Sequence, residues 1–109
     1  MPGADSSPQW LKTLRDFAVW DTRSDSGSDP ALTPIKFPPE ALVCCALTTA
    51  YDEPTYSPDI QRHHVVRIYW EYKEKLFLAH LTYVKGDPKG AEHERDFLEI
   101  VRSIRPLRQ

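Results

Sequence analysis

The chain has 109 residues, 40% hydrophobic and 28% charged, with a formal net charge of -2, the balance of one soluble globular domain rather than a disordered segment. Lysine and arginine (14) do not outnumber aspartate and glutamate (16), so there is no basic excess for phosphate contacts and nucleic acid is not an expected partner. No run approaches the roughly 20 apolar residues of a membrane span, and "MPGADSSPQW" lacks the basic start and apolar core of a signal peptide. A cytoplasmic location is therefore expected unless a leader has been removed.

From Ser7 to about Val19 the pattern is helical. Trp10, Leu14 and Phe17 fall at i, i+4 and i+7, Leu11 and Ala18 widen the stripe, and Ser7 with Pro8 suits an N-cap followed by the first helical position. The next stretch, "DTRSDSGSDPALTPIKFPPE" from Asp21 to Glu40, has Ser, Asp, Gly and Pro in place of an apolar period. It reads as a flexible loop within a single domain spanning 1–109, with a short extended piece at Leu32 to Phe37.

In "ALVCCALTTAY", Ala41 to Tyr51, the prolines before it suit a helix start, but Val43, the cysteines and Thr48-Thr49 favour a buried strand, and strand is the reading adopted. Adjacent Cys44 and Cys45 would close a strained ring if bridged, so they read as two buried thiols. Asp52 to Arg62, with two prolines, reads as another loop.

"HHVVRIYWEYKEKLFLAHLTYVKG", His63 to Gly86, reads as a β-hairpin turning at Lys73-Glu74. That register opposes Trp70 to Phe77, Ile68 to Ala79, Val66 to Leu81 and His64 to Tyr83, a continuous apolar face. The other face pairs Glu71 with Leu76, Tyr69 with Leu78, Arg67 with His80 and Val65 with Thr82. A slip of one residue would mix the faces and bury a histidine, so the first register should win. It sends His64 and His80 to opposite faces and separates His63 from His80 by about 13 Å along the strand, leaving His93 as a partner for at most one of them. No histidine or cysteine spacing matches a zinc site, and neither a G-x-S-x-G nor a Gly-rich phosphate loop is present; no metal, catalytic residue or cofactor is assigned.

Asp87 to Arg105 gives the clearest helix, with Phe97, Ile100, Val101 and Ile104 inward and Glu94, Arg95, Glu99 and Arg102 outward. Asp87-Pro88 suits its start and Pro106 its end.

Strands, a long hairpin ending "LAHLTYVKGDPKG" and a terminal helix "HERDFLEIVRSIRPL" resemble the C-terminal part of the PsbP-like α/β family, which includes Mog-type and DcrB-type proteins. Phe97, Ile100, Ser103, Ile104 and Arg105 match the amphipathic pattern of that family's last helix. The resemblance covers the last third of the chain and implies an α/β sandwich used as a binding or adaptor module, without carrying over any functional residue.

The fold expected is α+β: a two-layer sandwich in which the N- and C-terminal helices pack on the Val66, Ile68, Trp70, Phe77 and Leu81 face of an antiparallel sheet. Tyrosine and arginine among apolar residues favour the centre of a protein interface, so Arg67, Tyr69, Glu71, Leu76, Leu78 and His80 form the expected partner-binding face unless a loop such as Asp21 to Glu40 covers it. The leading function is a noncatalytic protein-binding module of adaptor, chaperone or inhibitor/immunity type. A small hydrolase or metal-dependent enzyme using His80 or His64 is the alternative, and a homodimer through the same face or edge to edge is a third option.

Overall fold

The computed structural model describes residues 9–38, 41–43, 45–54 and 61–105. Helix α1 (Gln9–Ser26) is followed by β1 (Thr33–Lys36), β2 (Cys45–Asp52), β3 (His63–Tyr72), β4 (Lys75–Val84) and helix α2 (Gly90–Arg102). The strands form one antiparallel sheet in the order β1-β2-β3-β4, so the fold is α+β with an N-terminal and a C-terminal helix, as the sequence predicts. No helix among the described residues is long and apolar enough to cross a membrane. Ser7, Pro8, Pro39, Glu40, Cys44 and Pro106 lie outside the described residues, as does the side chain of Trp10.

Every pair of the expected hairpin register forms, from Trp70 opposite Phe77 to His64 opposite Tyr83. The loop is two residues long, and both adopt positive φ, Lys73 at 51° and Glu74 at 66°. This is the conformation of a type I′ turn, whose twist matches that of the strands but which normally selects Asn or Gly. The amide of Glu74 donates to the carboxylate of Glu71, giving a backbone group in the turn a local acceptor.

The sheet separates two hydrophobic clusters. On the even-numbered face of β3, Val66, Ile68 and Trp70 pack with Val43, Ala46 and the Phe97 and Val101 side chains of α2. On the odd-numbered face, Leu47 and Tyr69 pack with Leu14 and Ala18 of α1, with Phe17, Leu32 and Leu76 at the margin. The expectation that both helices cover the Trp70 face is therefore corrected: each helix takes one face, giving three layers. The reason lies in β3, whose six central residues Val65 to Trp70 are all buried. A strand buried on both faces needs a cover on each.

The flexible loop expected over 21–40 is also corrected. Residues 21–26 continue α1, which ends at Gly27 with φ 79°, and the Gly27 amide donates to the Arg23 carbonyl at 2.9 Å, a left-handed helix stop suited to glycine. The extended piece within Leu32 to Phe37 is β1. Strand rather than helix is observed for β2, although Cys45 is exposed at its start rather than buried.

Helix α2 begins after Lys89, and the Asp87 carboxylate accepts the Lys89 amide at 2.8 Å just before it. Phe97 and Val101 point inward as expected and Ile104 is partly buried, but Ile100 is 64% exposed. The buried stripe of α2 is narrower than the apolar one. Gly90 is required at its first turn by a close approach: a Cβ there would lie 2.8 Å from Cε2 of Tyr83.

Replacing Lys73-Glu74 by Asn-Gly should relieve the strain of two non-glycine residues at positive φ and raise stability by about 1 kcal/mol. Urea unfolding measures this, and an unchanged or lowered midpoint would show that the turn is not strained as described.

Candidate functional site

The odd-numbered face of the hairpin contains most of the residues singled out from the sequence. Arg67 is only 5% exposed and Tyr69 is fully buried. Both lie beneath the C-terminal half of α1. The Tyr69 hydroxyl donates to Oδ2 of Asp21 at 2.7 Å and therefore accepts from the Thr22 hydroxyl, 2.8 Å away. Arg67 Nη1 donates to the same Asp21 oxygen at 3.0 Å and to the Asp21 carbonyl at 3.2 Å, and Nη2 bonds the Asp25 carboxylate. The Arg67 Nε–H donates to Nδ1 of His80 at 3.3 Å, and the Tyr51 ring stacks 5.4 Å from the guanidinium.

This arrangement explains the burial of a charge. An uncompensated guanidinium in a protein interior is strongly unfavourable, but here all three guanidinium nitrogens donate. The pKa of Arg67 is pulled down by burial and raised, on balance, by its hydrogen bond to Asp25 and by the neighbouring Tyr69 hydroxyl. Burial likewise pushes the Tyr69 hydroxyl up to about 12, with the bond to Asp21 acting in the same direction. Two carboxylates near the C-terminal end of a helix oppose its dipole, and Arg67 offsets them.

Arg67 and Tyr69 are thus corrected from contact residues to core residues. The face is covered by α1, including the segment Asp21 to Ser26 that the sequence assigned to a loop. Asp21, Thr22 and Asp25 are the residues the sequence reading missed. Their signal was the helical spacing that carries Leu14 and Ala18 on to Thr22 and Asp21 on to Asp25, hidden because the continuation is polar.

The other expected contact residues remain accessible to different degrees. Leu76 is half-buried against the Tyr69 cluster and Glu71 is half-buried beside the turn, whereas Leu78 and His80 are exposed. On the opposite face Phe77 stacks on Trp70 with ring centroids 5.7 Å apart yet stays 39% exposed.

Between α1 and β4 a polar cleft of about 300 Å³ is lined by Asp25, Tyr51, Glu53, Arg67, His80 and Thr82. Its one imidazole is held at both nitrogens: Nδ1 accepts from Arg67 and Nε2 lies 2.7 Å from the Thr82 hydroxyl. With Nδ1 as the acceptor, the ring proton is on Nε2 and faces Thr82, so His80 is not oriented to take a proton from that hydroxyl.

As the register requires, His64 is on the other face. Its Nδ1 meets Asp52 at 2.8 Å, and Lys85 Nζ bonds the second Asp52 oxygen at 2.6 Å. The Lys85 and His64 bonds hold the Asp52 carboxyl below the usual carboxylate range. The nearest aromatic hydroxyl, on Tyr83, donates to Glu94 at 2.5 Å, which pushes its pKa up to about 12, the opposite of an activated nucleophile. His93 lies across the Tyr83 ring, 5.9 Å between centroids, and pairs with Asp87 at 3.3 Å. The four histidines are therefore each paired locally, His63 with Glu53 at 3.5 Å. No group of three or more metal-ligating side chains comes together among the described residues.

The remaining feature is the backbone of β4, the last strand of the sheet. In a two-residue hairpin the residues flanking the loop, Tyr72 and Lys75, exchange hydrogen bonds, and the pattern alternates from there. Bonds from Lys85 to Arg62 and from Glu53 to His63 fit this phase. Phe77, Ala79, Leu81 and Tyr83 consequently bond inward to β3, while Leu76, Leu78, His80, Thr82 and Val84 direct their amides and carbonyls outward. The opposite edge, β1, is four residues long and contains Pro34 and Lys36, which blunt it against pairing. β4 runs for ten residues with Lys75 at its start as the one lysine or acidic residue.

Comparison of the chain with protein-family models, curated proteins and solved structures finds no match.

Asp21→Ala should cost about 2–4 kcal/mol, because it leaves the buried Tyr69 hydroxyl and one Arg67 nitrogen without their carboxylate. Asp25, half exposed, should cost about 1 kcal/mol or less when changed to Ala; equal losses in chemical denaturation would contradict the assignment of Asp21 as the shared acceptor.

Tyr69 stays protonated in the folded chain up to about 12 against 10.0 unfolded, so its contribution is full below pH 10 and disappears as pH rises through 12. Tyr69→Phe should be less stable at neutral pH and show a shallower decline across that interval. A decline as steep as that of the parent chain would assign the alkaline loss to another group.

Proposed function

We propose that this chain is a noncatalytic protein-binding module, of adaptor, chaperone or immunity type, that receives an extended segment of its partner along the β4 edge. The observation that carries this reading is the contrast between the two edges. β1 is short and contains a proline, whereas β4 is a ten-residue strand in which Leu76, Leu78, His80, Thr82 and Val84 turn their backbone groups outward, with Leu78 and Phe77 exposed on either side of it. Strand addition takes affinity from such main-chain bonds and specificity from alternate side chains, here Leu76, Leu78 and His80 on one face and Phe77 on the other. The resemblance of the last third of the chain to PsbP-like modules supports the same class of function.

The contact surface is thereby moved from the buried Arg67 and Tyr69 to the adjacent strand, retaining Leu76, Leu78 and His80. The pairing of His80 with Arg67 and of Tyr83 with Glu94 supports a binding role over a hydrolytic one, since each ties up a group that proton transfer would use.

Leu78→Lys places a charge on the edge without touching either core cluster. Capture from the native host followed by mass spectrometry should recover a partner with the parent chain and lose it with this variant, while both melt at the same temperature. Equal recovery by the two would place the contact elsewhere.

A further inference from the structure

We infer that the β4 edge pairs with the β4 edge of a second copy, antiparallel about a twofold axis at Ala79, to make a continuous eight-stranded sheet. This rests on the reading of β4 as the contact edge, and it names the occupant. The outward edge of β4 is self-complementary. A twofold antiparallel seam requires the outward residues of one strand to meet outward residues of the other, so only registers that oppose even-numbered residues to even-numbered residues are available.

Two such registers overlap most of the strand. One opposes His80 to its own copy and Lys75 to Lys85, placing like groups face to face, which is destabilising. The other opposes Leu78 to His80, Leu76 to Thr82, Phe77 to Leu81 and Lys75 to Tyr83, with Ala79 meeting itself. No like charges meet within the strand, and the exposed Phe77 gains an apolar partner on its own face. Sliding further runs Thr82 and Tyr83 past the partner's Lys73-Glu74 turn and shortens the seam. The low charge of β4 fits this occupant: a strongly charged peptide would find only Lys75 and His80 along the strand, whereas the strand itself is its own apolar complement.

The test is sedimentation velocity of the full chain over a dilution series, joined to a disulfide trap. The parent chain should sediment at twice 12.6 kDa at the upper concentrations, and Leu78→Lys should weaken self-association by at least roughly tenfold without shifting the thermal midpoint. In a Cys44→Ser, Cys45→Ser background, Ala79→Cys should form a covalent dimer on mild oxidation. The non-hydrogen-bonded pair at the axis brings two Cα atoms to about 4.5 Å, within disulfide reach. Thr82→Cys, well off the axis, should not. The trap reads the seam even if Leu78→Lys fails to fold. A parent chain that stays monomeric throughout overturns the inference, as does a dimer that Thr82→Cys traps and Ala79→Cys does not. A monomer that still captures a foreign partner through an edge sensitive to Leu78→Lys would sink self-pairing alone and leave the proposed function standing.

Discussion

The structure depends on how the buried cation Arg67 is accommodated. Arg67 stands in the central region of β3, in a run whose other members are buried, and its guanidinium is reached by Asp21 and Asp25 from α1, by His80 from β4 and by the Tyr51 ring from β2. Hydrophobic burial alone would place any apolar helix over Leu47 and Tyr69. The ion pairs and the Thr22–Tyr69–Asp21 hydrogen bonds fix which helix lies there and at what position along its axis. The apolar half of α1, Leu14 to Ala18, covers the apolar part of the face, and its polar half covers Arg67. Buried polar groups of this kind contribute less to stability than to the choice of one arrangement among several.

The covering of that face has a functional consequence. With α1 on one side of the sheet and α2 on the other, both broad faces of β3 are closed, and the side chains most suited by type to a protein interface, Tyr69 and Arg67, are engaged inside the molecule. What remains open is lateral: the outward backbone of β4, with Leu78 and His80 on one side and Phe77 on the other. The His64–Asp52–Lys85 group ties the open ends of β2, β3 and β4 together, and Tyr83, seated over Gly90 and bonded to Glu94, anchors α2 to β4. Both contacts hold the C-terminal end of β4, and the Lys73-Glu74 turn joins its other end to β3.

Much of this was legible in the residues. The hairpin register followed from one requirement, that Val66, Ile68 and Trp70 share a face opposite Phe77, Ala79 and Leu81, and a period of two leaves no intermediate solution. The C-terminal helix and β2 were legible from spacing and β-branched content. The end of α1 was not, because "DTRSDS" lacks apolar residues and its helical face is read only against Arg67 and Tyr69 across the domain; local propensity gave way to tertiary pairing. The placement of α1 was illegible for the same reason. An arginine and a tyrosine on a strand describe an interface or a buried network equally well until the opposing carboxylates are located. Ile100 marks the converse limit, since an apolar residue at core spacing lies outside a stripe only as wide as the sheet beneath it.

The central claim is that α1 closes the Arg67 and Tyr69 face and leaves the β4 edge open for pairing. Amide hydrogen exchange along β4, residue by residue at low and high protein concentration, tests it most directly. The account predicts an alternation in dilute solution, with Phe77, Ala79 and Leu81 protected and Leu76, Leu78, His80 and Thr82 exchanging rapidly, the latter slowing as concentration rises. Outward amides that stay fast at every concentration would remove self-pairing alone, whereas outward amides that are protected in dilute solution would contradict the account.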